Sequence, residues 1–175
     1  MPISIRNQSA SPIDERKLKR RVSKVLGNLD MSDALVSLLI TDDRGIKTLN
    51  RDFRNVDKAT NVLAFPAREA GSPEEFEKIF RAAKEGGAAE SPKDPGAFPP
   101  LPGKFKYFIG DIAVSFETVT REAAESGAET GELFYFYLLH GLLHLMGHDH
   151  ERGDEAEKAQ DEALRKLMGL IRTDL

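Results

Sequence analysis

The residues best suited to chemistry lie together near the C-terminal end of the chain. All four histidines, His140, His144, His148 and His150, fall within eleven residues. His140 and His144 are four residues apart, so a helix through them projects both imidazoles from one face. Gly147 favours the left-handed conformation that ends a helix, and the turn after it can bring His150 back toward the pair. His150 is a better candidate than His148 for a third group beside this pair, although spacing alone does not decide between them.

Three imidazoles at this spacing are typical of a metal site. A single histidine on an apolar helix is more often a hydrogen-bonded core residue, but three in a chain without any cysteine indicate metal ligands. Three nitrogen ligands leave a tetrahedral zinc ion one open position for water, as in catalytic zinc sites, and such water has a pKa of roughly 7. We therefore predict one zinc ion per chain, held by His140, His144 and His150. Imidazole sites also accept nickel and copper, so the identity of the metal stays open.

The residue after the first histidine argues against peptide hydrolysis. Zinc peptidases with an H-E-x-x-H helix use the glutamate of that motif as a general base. Position 141 of this chain is glycine. The sequence therefore keeps the metal-binding pair and lacks the usual proton carrier of a peptidase.

The length of 175 residues predicts a single domain over residues 1–175, and the three histidines make it a metallohydrolase domain. The chain is 40% apolar and 31% charged, which is typical of a soluble globular protein. No apolar run is long enough to span a bilayer, no signal segment opens the chain, and the absence of cysteine excludes disulfides. We expect a cytoplasmic protein. The net charge of −4 gives no general electrostatic argument for a nucleic-acid partner.

The apolar pattern predicts an α+β fold with a small mixed sheet of about four strands. Helices are expected against this sheet, with the histidine helix buried at its centre because it is apolar on all sides. Strands are predicted at 3–5, 34–41, 60–65 and 107–114, the last with a bulge or close approach at Gly110. Helices are predicted to begin at Ser11 as N-cap, at 42–45, at Ser72, at 116, at 130 and at about 155. The composition changes over residues 67–104, and 86–103 have no periodicity, which indicates either a mobile functional loop or a variable insertion.

Two of the predicted helices have basic faces. Six of the nine residues from Arg16 to Lys24 are lysine or arginine. From the second helix onward, cations recur every three or four residues, at Arg44, Lys47, Arg51, Arg54 and Lys58, and they share one face if the helix runs that far. The segment from Asn55 to Lys58 looks like the turn that ends it. Solvation is the ordinary explanation of such a face, and contact with a polyanion is the alternative.

Three segments together resemble a known family. The segment HGLLHLMGHDH, from His140 to His150, closely resembles the signature of the YbeY family of metal-dependent endoribonucleases. FRNVDKATNVLAFP, from Phe53 to Pro66, and IGDI, from Ile109 to Ile112, are similar to two further blocks of that family. The resemblance covers roughly residues 35–169 apart from 67–104, where this chain is longer than typical members. It implies zinc ligands at His140, His144 and His150, variability at His148 and a functional arginine at Arg54.

The resemblance implies hydrolysis of single-stranded RNA in the maturation of the 16S rRNA 3′ end and in ribosome quality control. The small ribosomal subunit is the implied partner, and no membrane or DNA partner is expected. The planar, always-charged guanidinium of Arg54 suits the charge that develops on phosphorus oxygens, but an ion pair with Asp57 is an equal alternative. Asp111 could orient a ligand, contact a partner or simply end a strand.

Two other functions stay open at this point. One is a zinc peptidase or another metallohydrolase that uses the same histidines on a different substrate. The other is a non-catalytic ribosome-assembly factor whose metal holds the C-terminal segment in place.

Overall fold

The computed structural model describes residues 2–68, 70–84, 106–149 and 153–172, and these form the predicted α+β fold. The strands are β1 (Ile3–Asn7), β2 (Ala34–Thr41), β3 (Val62–Pro66) and β4 (Tyr107–Ser115). The helices are α1 (Glu15–Asn28), α2 (Asp43–Arg54), α3 (Pro73–Lys84), α4 (Phe116–Ser126), α5 (Thr130–Leu145) and α6 (Asp154–Arg172). The described part therefore has four strands and six helices, with the histidine helix α5 among them. No helix in these ranges is long and apolar enough to cross a membrane.

The four strands form one mixed sheet in the order β1-β2-β4-β3. The strands β1, β2 and β4 are parallel to one another, and β3 runs antiparallel to β4. Among the described strands β3 is thus an edge strand, paired with β4 on one side only.

The two faces of the sheet are covered unequally, because successive strand residues point to opposite sides. Val62, Ala64 and Ile112 face the larger core, which contains α5 and the apolar sides of α1, α3 and α6. Leu63 and Ala113 face the other side, where they form a small cluster with Ile46 of α2. The chain therefore places α5 and α2 on opposite faces of the sheet.

Two glycines allow close packing at the sheet: Gly141 brings α5 close to the sheet, and Gly110 of β4 brings β3 close to β4. A Cβ atom on Gly141 would lie 3.0 Å from Cγ2 of Ile112 and 3.2 Å from Cγ2 of Val62. The side chain of a glutamate at this position would therefore be crowded by these two residues of the sheet. Gly110 has a φ of +146°, and a Cβ on it would lie 2.5 Å from the carbonyl oxygen of Phe65. The pairing of β2 with β4 shifts register at this point, which confirms the predicted irregularity.

Helix α1 begins later than the sequence predicts. Its N-cap is Asp14, whose carboxylate accepts hydrogen bonds from the backbone N–H groups of Arg16 and Lys17. The predicted cap, Ser11, is engaged elsewhere, with its hydroxyl 2.5 Å from that of Ser9. The carboxylate of Asp14 caps the helix in place of the Ser11 hydroxyl because a charged acceptor makes the stronger hydrogen bond to the exposed amides.

The variable segment contains the helix predicted after Ser72. This helix is α3, and the hydroxyl of Ser72 accepts a hydrogen bond from the backbone N–H of Glu75. Two of its aromatic side chains, Phe76 and Phe80, are buried in the larger core. Residues 85–105 lie outside the described part of the chain.

Candidate metal centre and cleft

His140 and His144 lie on one face at the C-terminal end of α5, as predicted. Their Nε2 atoms are 3.0 Å apart, and their ring centroids are 4.6 Å apart. Two nitrogens that bind one zinc ion at about 2.0–2.1 Å with tetrahedral angles lie roughly 3.3 Å from each other. The observed separation is close to this value, so the two imidazoles can share one ion.

The end of α5 is shaped by Gly147, which has a φ of +84°. Its N–H donates to the carbonyl of His144, and the N–H of His148 donates to the carbonyl of Leu143, so the last carbonyls of the helix are satisfied. A Cβ atom on Gly147 would lie 2.7 Å from the carbonyl oxygen of Ser72, which makes any other residue difficult to accommodate. Glycine therefore both ends the helix and lets the following turn lie against the segment before α3.

The predicted third ligand, His150, lies outside the described residues. Within residues 2–68, 70–84, 106–149 and 153–172, no third histidine, cysteine or carboxylate joins the pair in a group that could hold a metal. The role of His150 therefore stays a prediction.

Gln160 of α6 contacts the ring nitrogen of His140 that faces away from His144. It is only 2% exposed, and its Nε2 lies 3.1 Å from Nδ1 of His140. In this orientation its Oε1 is buried without a hydrogen-bond partner among the described residues. Turning the amide by 180° would place Oε1 against Nδ1, where it could accept the ring proton. His140 would then have its Nε2 lone pair directed at the space shared with His144.

These contacts fit a bound metal ion. The two imidazoles converge through the same type of nitrogen, and a neighbouring amide can set the tautomer that a ligand needs. If the amide is turned, Oε1 accepts the Nδ1 proton of His140, and Nε2 takes the buried position that has no partner among the described residues. The residues present therefore suit an ion that prefers imidazole, such as zinc.

The histidine pair opens into a cleft of about 810 Å³, which we call the histidine cleft. Residues of α5, α6 and the edge strand β3 line it, together with Arg54 at the end of α2. Because α5 and α2 lie on opposite faces of the sheet, the cleft extends past the β3 edge and Arg54 reaches it from the other side. The structure thus brings Arg54 and the two described histidines to one site.

Arg54 is positioned by the way α2 ends. Asn55 follows it in the left-handed conformation, with a φ of +58°, and donates its N–H to the carbonyl of Arg51. The alternative partner, Asp57, instead pairs with Lys47, whose Nζ lies 3.3 Å from the Asp57 carboxylate. Among the described residues Arg54 has no ion-pair partner, so its charge is available to a ligand.

A polar cluster forms one wall of the cleft. Tyr137 donates a hydrogen bond of 2.6 Å to the carboxylate of Glu122, and the side-chain amide of Asn61 lies 3.4 Å from the same carboxylate. Burial, followed by the hydrogen bond and negative charge of Glu122, raises the pKa of Tyr137 to about 12, against a smaller opposite effect of Asn61. Tyr137 is therefore a neutral donor that ties α5 to α4.

The two residues of undecided role lie in different places. His148 lines the histidine cleft, and burial lowers its pKa although the charge of Glu74 acts in the opposite direction. Asp111 is exposed on β4, on the face of the sheet that α2 covers, and it does not line the cleft.

Gln160 was missed by the sequence reasoning, although the sequence contains a signal for it. It occupies a buried position of α6 in line with Leu164, Leu167 and Ile171. A polar side chain in an otherwise apolar stripe needs a partner, since a buried amide without one is unfavourable. Its partner could not be identified without the fold.

Comparison with known proteins gives a consistent result. The family model described as Endoribonuclease YbeY matches residues 4–168. A protein of the same description from Geobacter sulfurreducens is 34% identical over 173 residues, covering 98% of this chain and 96% of that protein. One from Leptospira interrogans is 37% identical over 146 residues, covering 81% and 93%. The solution structure of TM1509 from Thermotoga maritima matches with a TM-score of 0.59 at 22% identity, covering 98% of this chain and 90% of that chain, which supports the fold alone.

Proposed function

Because the chain belongs to the YbeY family of endoribonucleases, hydrolases of RNA phosphodiester bonds, we propose that it is a zinc-dependent enzyme that cleaves single-stranded RNA. Its proposed place is the maturation of the 16S rRNA 3′ end and ribosome quality control, on the small ribosomal subunit and in the cytoplasm. The resemblance of the three sequence segments supports this more specific role.

One observation carries the proposal of a metal-dependent reaction. The Nε2 atoms of His140 and His144 lie 3.0 Å apart in a cleft that Arg54 also lines. Two imidazole nitrogens, in a cleft with a cation that has no ion pair in the described part of the chain, suit an anionic substrate that needs a metal for hydrolysis. His150 is the proposed third ligand.

The described side chains support hydrolysis in different ways. A bound zinc ion supplies Lewis acidity and lowers the pKa of water. Arg54 can bind two phosphate oxygens at once and stabilise the negative charge that accumulates on them during cleavage. Gln160 holds the ring of His140 in place, and Glu122 joins Tyr137 of α5 to Asn61 at the start of the edge strand.

The surroundings of the cleft favour RNA over a peptide substrate. No glutamate follows His140, and Gly141 lies so close to Ile112 that a larger side chain at this position would be crowded by the sheet. Three further cations, Arg44, Lys47 and Arg51, precede Arg54 in α2, in a chain whose net charge is −4. A polyanion can therefore be attracted locally although the protein as a whole is acidic.

The proposal is tested by following cleavage of a labelled single-stranded RNA by the purified protein. We expect cleavage of the single strand and not of its duplex, loss of cleavage on treatment with a chelator, and recovery on addition of zinc. Arg54→Met should lower kcat by about 10²–10³-fold because it removes a charge that stabilises the transition state. Its zinc content should stay unchanged.

Arg81→Met is the matched control for that variant, since Arg81 is an exposed arginine of α3 paired with Glu77. It should cleave at the rate of the unmodified protein. Cleavage that survives complete removal of metal would contradict the proposal, and hydrolysis of peptides in place of RNA would favour the peptidase alternative.

A further inference from the structure

A second cavity, of about 700 Å³, lies where the beginning of α5 meets α1 and the end of α6. None of its lining residues also lines the histidine cleft. We call it the Arg21 cavity, after the buried arginine in its wall.

Arg21 is 5% exposed, and its guanidinium carbon lies 4.6 Å from the centre of the Tyr135 ring. Its Nε and Nη2 atoms are buried, and neither has a hydrogen-bond partner among the described residues. Cation–π contact offsets part of the loss of hydration, but it leaves these N–H groups unsatisfied. A buried guanidinium without an anion is unfavourable, so this arrangement calls for a partner.

The geometry of the two unpartnered atoms indicates which partner. The N–H groups on Nε and Nη2 point from the same edge of the guanidinium plane. This edge holds a carboxylate or phosphate through two parallel hydrogen bonds. A neutral hydrogen-bond acceptor would satisfy the donors without balancing the charge.

The other charges around the cavity leave room for an added anion. Asp14 caps α1, and Glu132 is paired with Arg172. Glu129, the N-cap of α5, is exposed and makes no side-chain cap hydrogen bond. Lys17 also lines the cavity, and the N-terminal amides of α5 add a positive partial charge.

The remaining wall is largely apolar. It includes the side chains of Ile13, Phe116, Phe134, Met168 and Ile171. We propose that the Arg21 cavity binds a small amphipathic anion, a carboxylate or a phosphate monoester with an apolar body. The Nε and Nη2 edge of Arg21 has almost no accessible surface in the structure, so binding requires the guanidinium to turn this edge toward the cavity, where it meets the head group. The body lies against the apolar side chains.

Calorimetric titration of the full chain with octanoate, octyl phosphate and octanamide tests this assignment. We expect saturable binding of at least one of the two anions, with a dissociation constant of about 0.1 mM or tighter, and no comparable binding of neutral octanamide. The stronger of the two anions identifies the head group. Arg21→Met should weaken that binding at least about tenfold while retaining the contact with Tyr135.

The stability of Arg21→Met gives an independent readout. Since the arginine lacks an anionic partner in the protein, its replacement by an apolar side chain of similar length should leave the melting temperature unchanged or raise it. Arg16→Met, at an exposed position of the same helix, is the control and should bind the anion as the unmodified protein does. The proposal is overturned if neither anion binds, if Arg21→Met binds equally well, or if Arg21→Met loses stability, which would show that the guanidinium has a structural role. RNA cleavage does not enter this test, so its outcome is independent of the proposed function.

Discussion

At the scale of single residues, the candidate metal site depends on the orientation of two imidazole rings. His140 presents one ring nitrogen to His144 and the other to Gln160. A histidine binds metal only through a nitrogen that carries no proton, so the group that faces the second nitrogen decides whether the first is available. Gln160 is therefore a positioning residue for the proposed ligand.

Gln160→Met should weaken zinc binding about 10–100-fold, as is typical when a group that orients a ligating histidine is removed. The dissociation constant is measured by competition with a chromophoric chelator. Gln160→Glu is the informative partner, because a carboxylate accepts the Nδ1 proton more strongly and should restore or increase affinity. Equal zinc affinity in all three proteins would show that the contact with His140 does not orient the ring.

At the scale of elements, α2 connects the cleft with a basic surface. Lys47 and Arg51 pair with Asp57 and Asp52, respectively. Arg44, Arg54 and Lys58 have no ion pair among the described residues. Arg44 and Arg54 lie on α2, which ends at the cleft, and Lys58 lies in the segment between α2 and β3. Three such cations suit the phosphates of an extended RNA strand.

Replacing Arg44 and Lys58 together by alanine should reduce the salt dependence of RNA binding. Each lost contact with a single-stranded phosphate lowers the slope of log K against log salt by about 0.7, so the double variant should lose about 1.4. Titrations at several salt concentrations with a chelated, non-cleaving protein measure this slope. The matched control replaces Arg16 and Arg20 of α1, and an equal effect there would mean that α2 has no special role.

The position of α2 depends on its first residue. The carboxylate of Asp43 accepts hydrogen bonds from the hydroxyls of Ser115 and Thr118, both at 2.5 Å, and from Arg121 at 2.9 Å. Partial burial raises the pKa of Asp43, but these hydrogen bonds and the charge of Arg121 outweigh it and lower the pKa below its ordinary value of 3.8. This junction ties the basic helix to the start of α4.

Asp43→Asn should lower the free energy of unfolding by about 1–3 kcal/mol at pH 7, since the hydrogen bonds then lose a charged acceptor. Because the folded protein lowers the pKa of this group, its contribution is present above pH 3.8 and is lost as the pH falls through the folded-state pKa. The difference between the two proteins should therefore shrink in acid. Urea unfolding from pH 7 to pH 3 checks this, and Asp52→Asn, at an exposed position, should change little at any pH.

At the scale of the whole molecule, the site lies where two separate cores meet at a sheet edge. The larger core holds α5 from one face, and the small cluster under α2 holds Arg54 from the other. His140 and His144 are partly exposed and belong to neither core. The fold therefore does not depend on them for its packing.

His144→Ala should abolish RNA cleavage and change the melting temperature by only a few degrees, because it removes no buried apolar contact. Leu142→Ala, two residues away in the same helix and 2% exposed, should instead cost about 2–5 kcal/mol of stability. Thermal unfolding of both variants compares these effects. A large loss of stability in His144→Ala would favour the alternative in which the metal holds the C-terminal segment together.

Local patterns in the sequence determined the elements and the histidine pair. The spacing of His140 and His144 places them on one helix face whatever the surroundings, and Gly147 ends that helix because it can adopt a positive φ. Strand and helix order followed from hydrophobic periodicity, except where Asp14 replaced Ser11 as the cap of α1. These features depend on neighbours in the chain, so the sequence was sufficient for them.

The tertiary structure decided which distant residues share the site. Gln160 is twenty residues from His140, and the two meet only because α6 folds back against α5. Asp57 forms its ion pair with Lys47 and not with Arg54. Arg54 lines the histidine cleft because β3 is at the edge of the sheet. Arg21, whose Nε and Nη2 have no hydrogen-bond partner in the described ranges, likewise owes its surroundings to how three helices pack. Contacts between distant segments depend on the packing of the whole core, which periodicity and spacing do not specify.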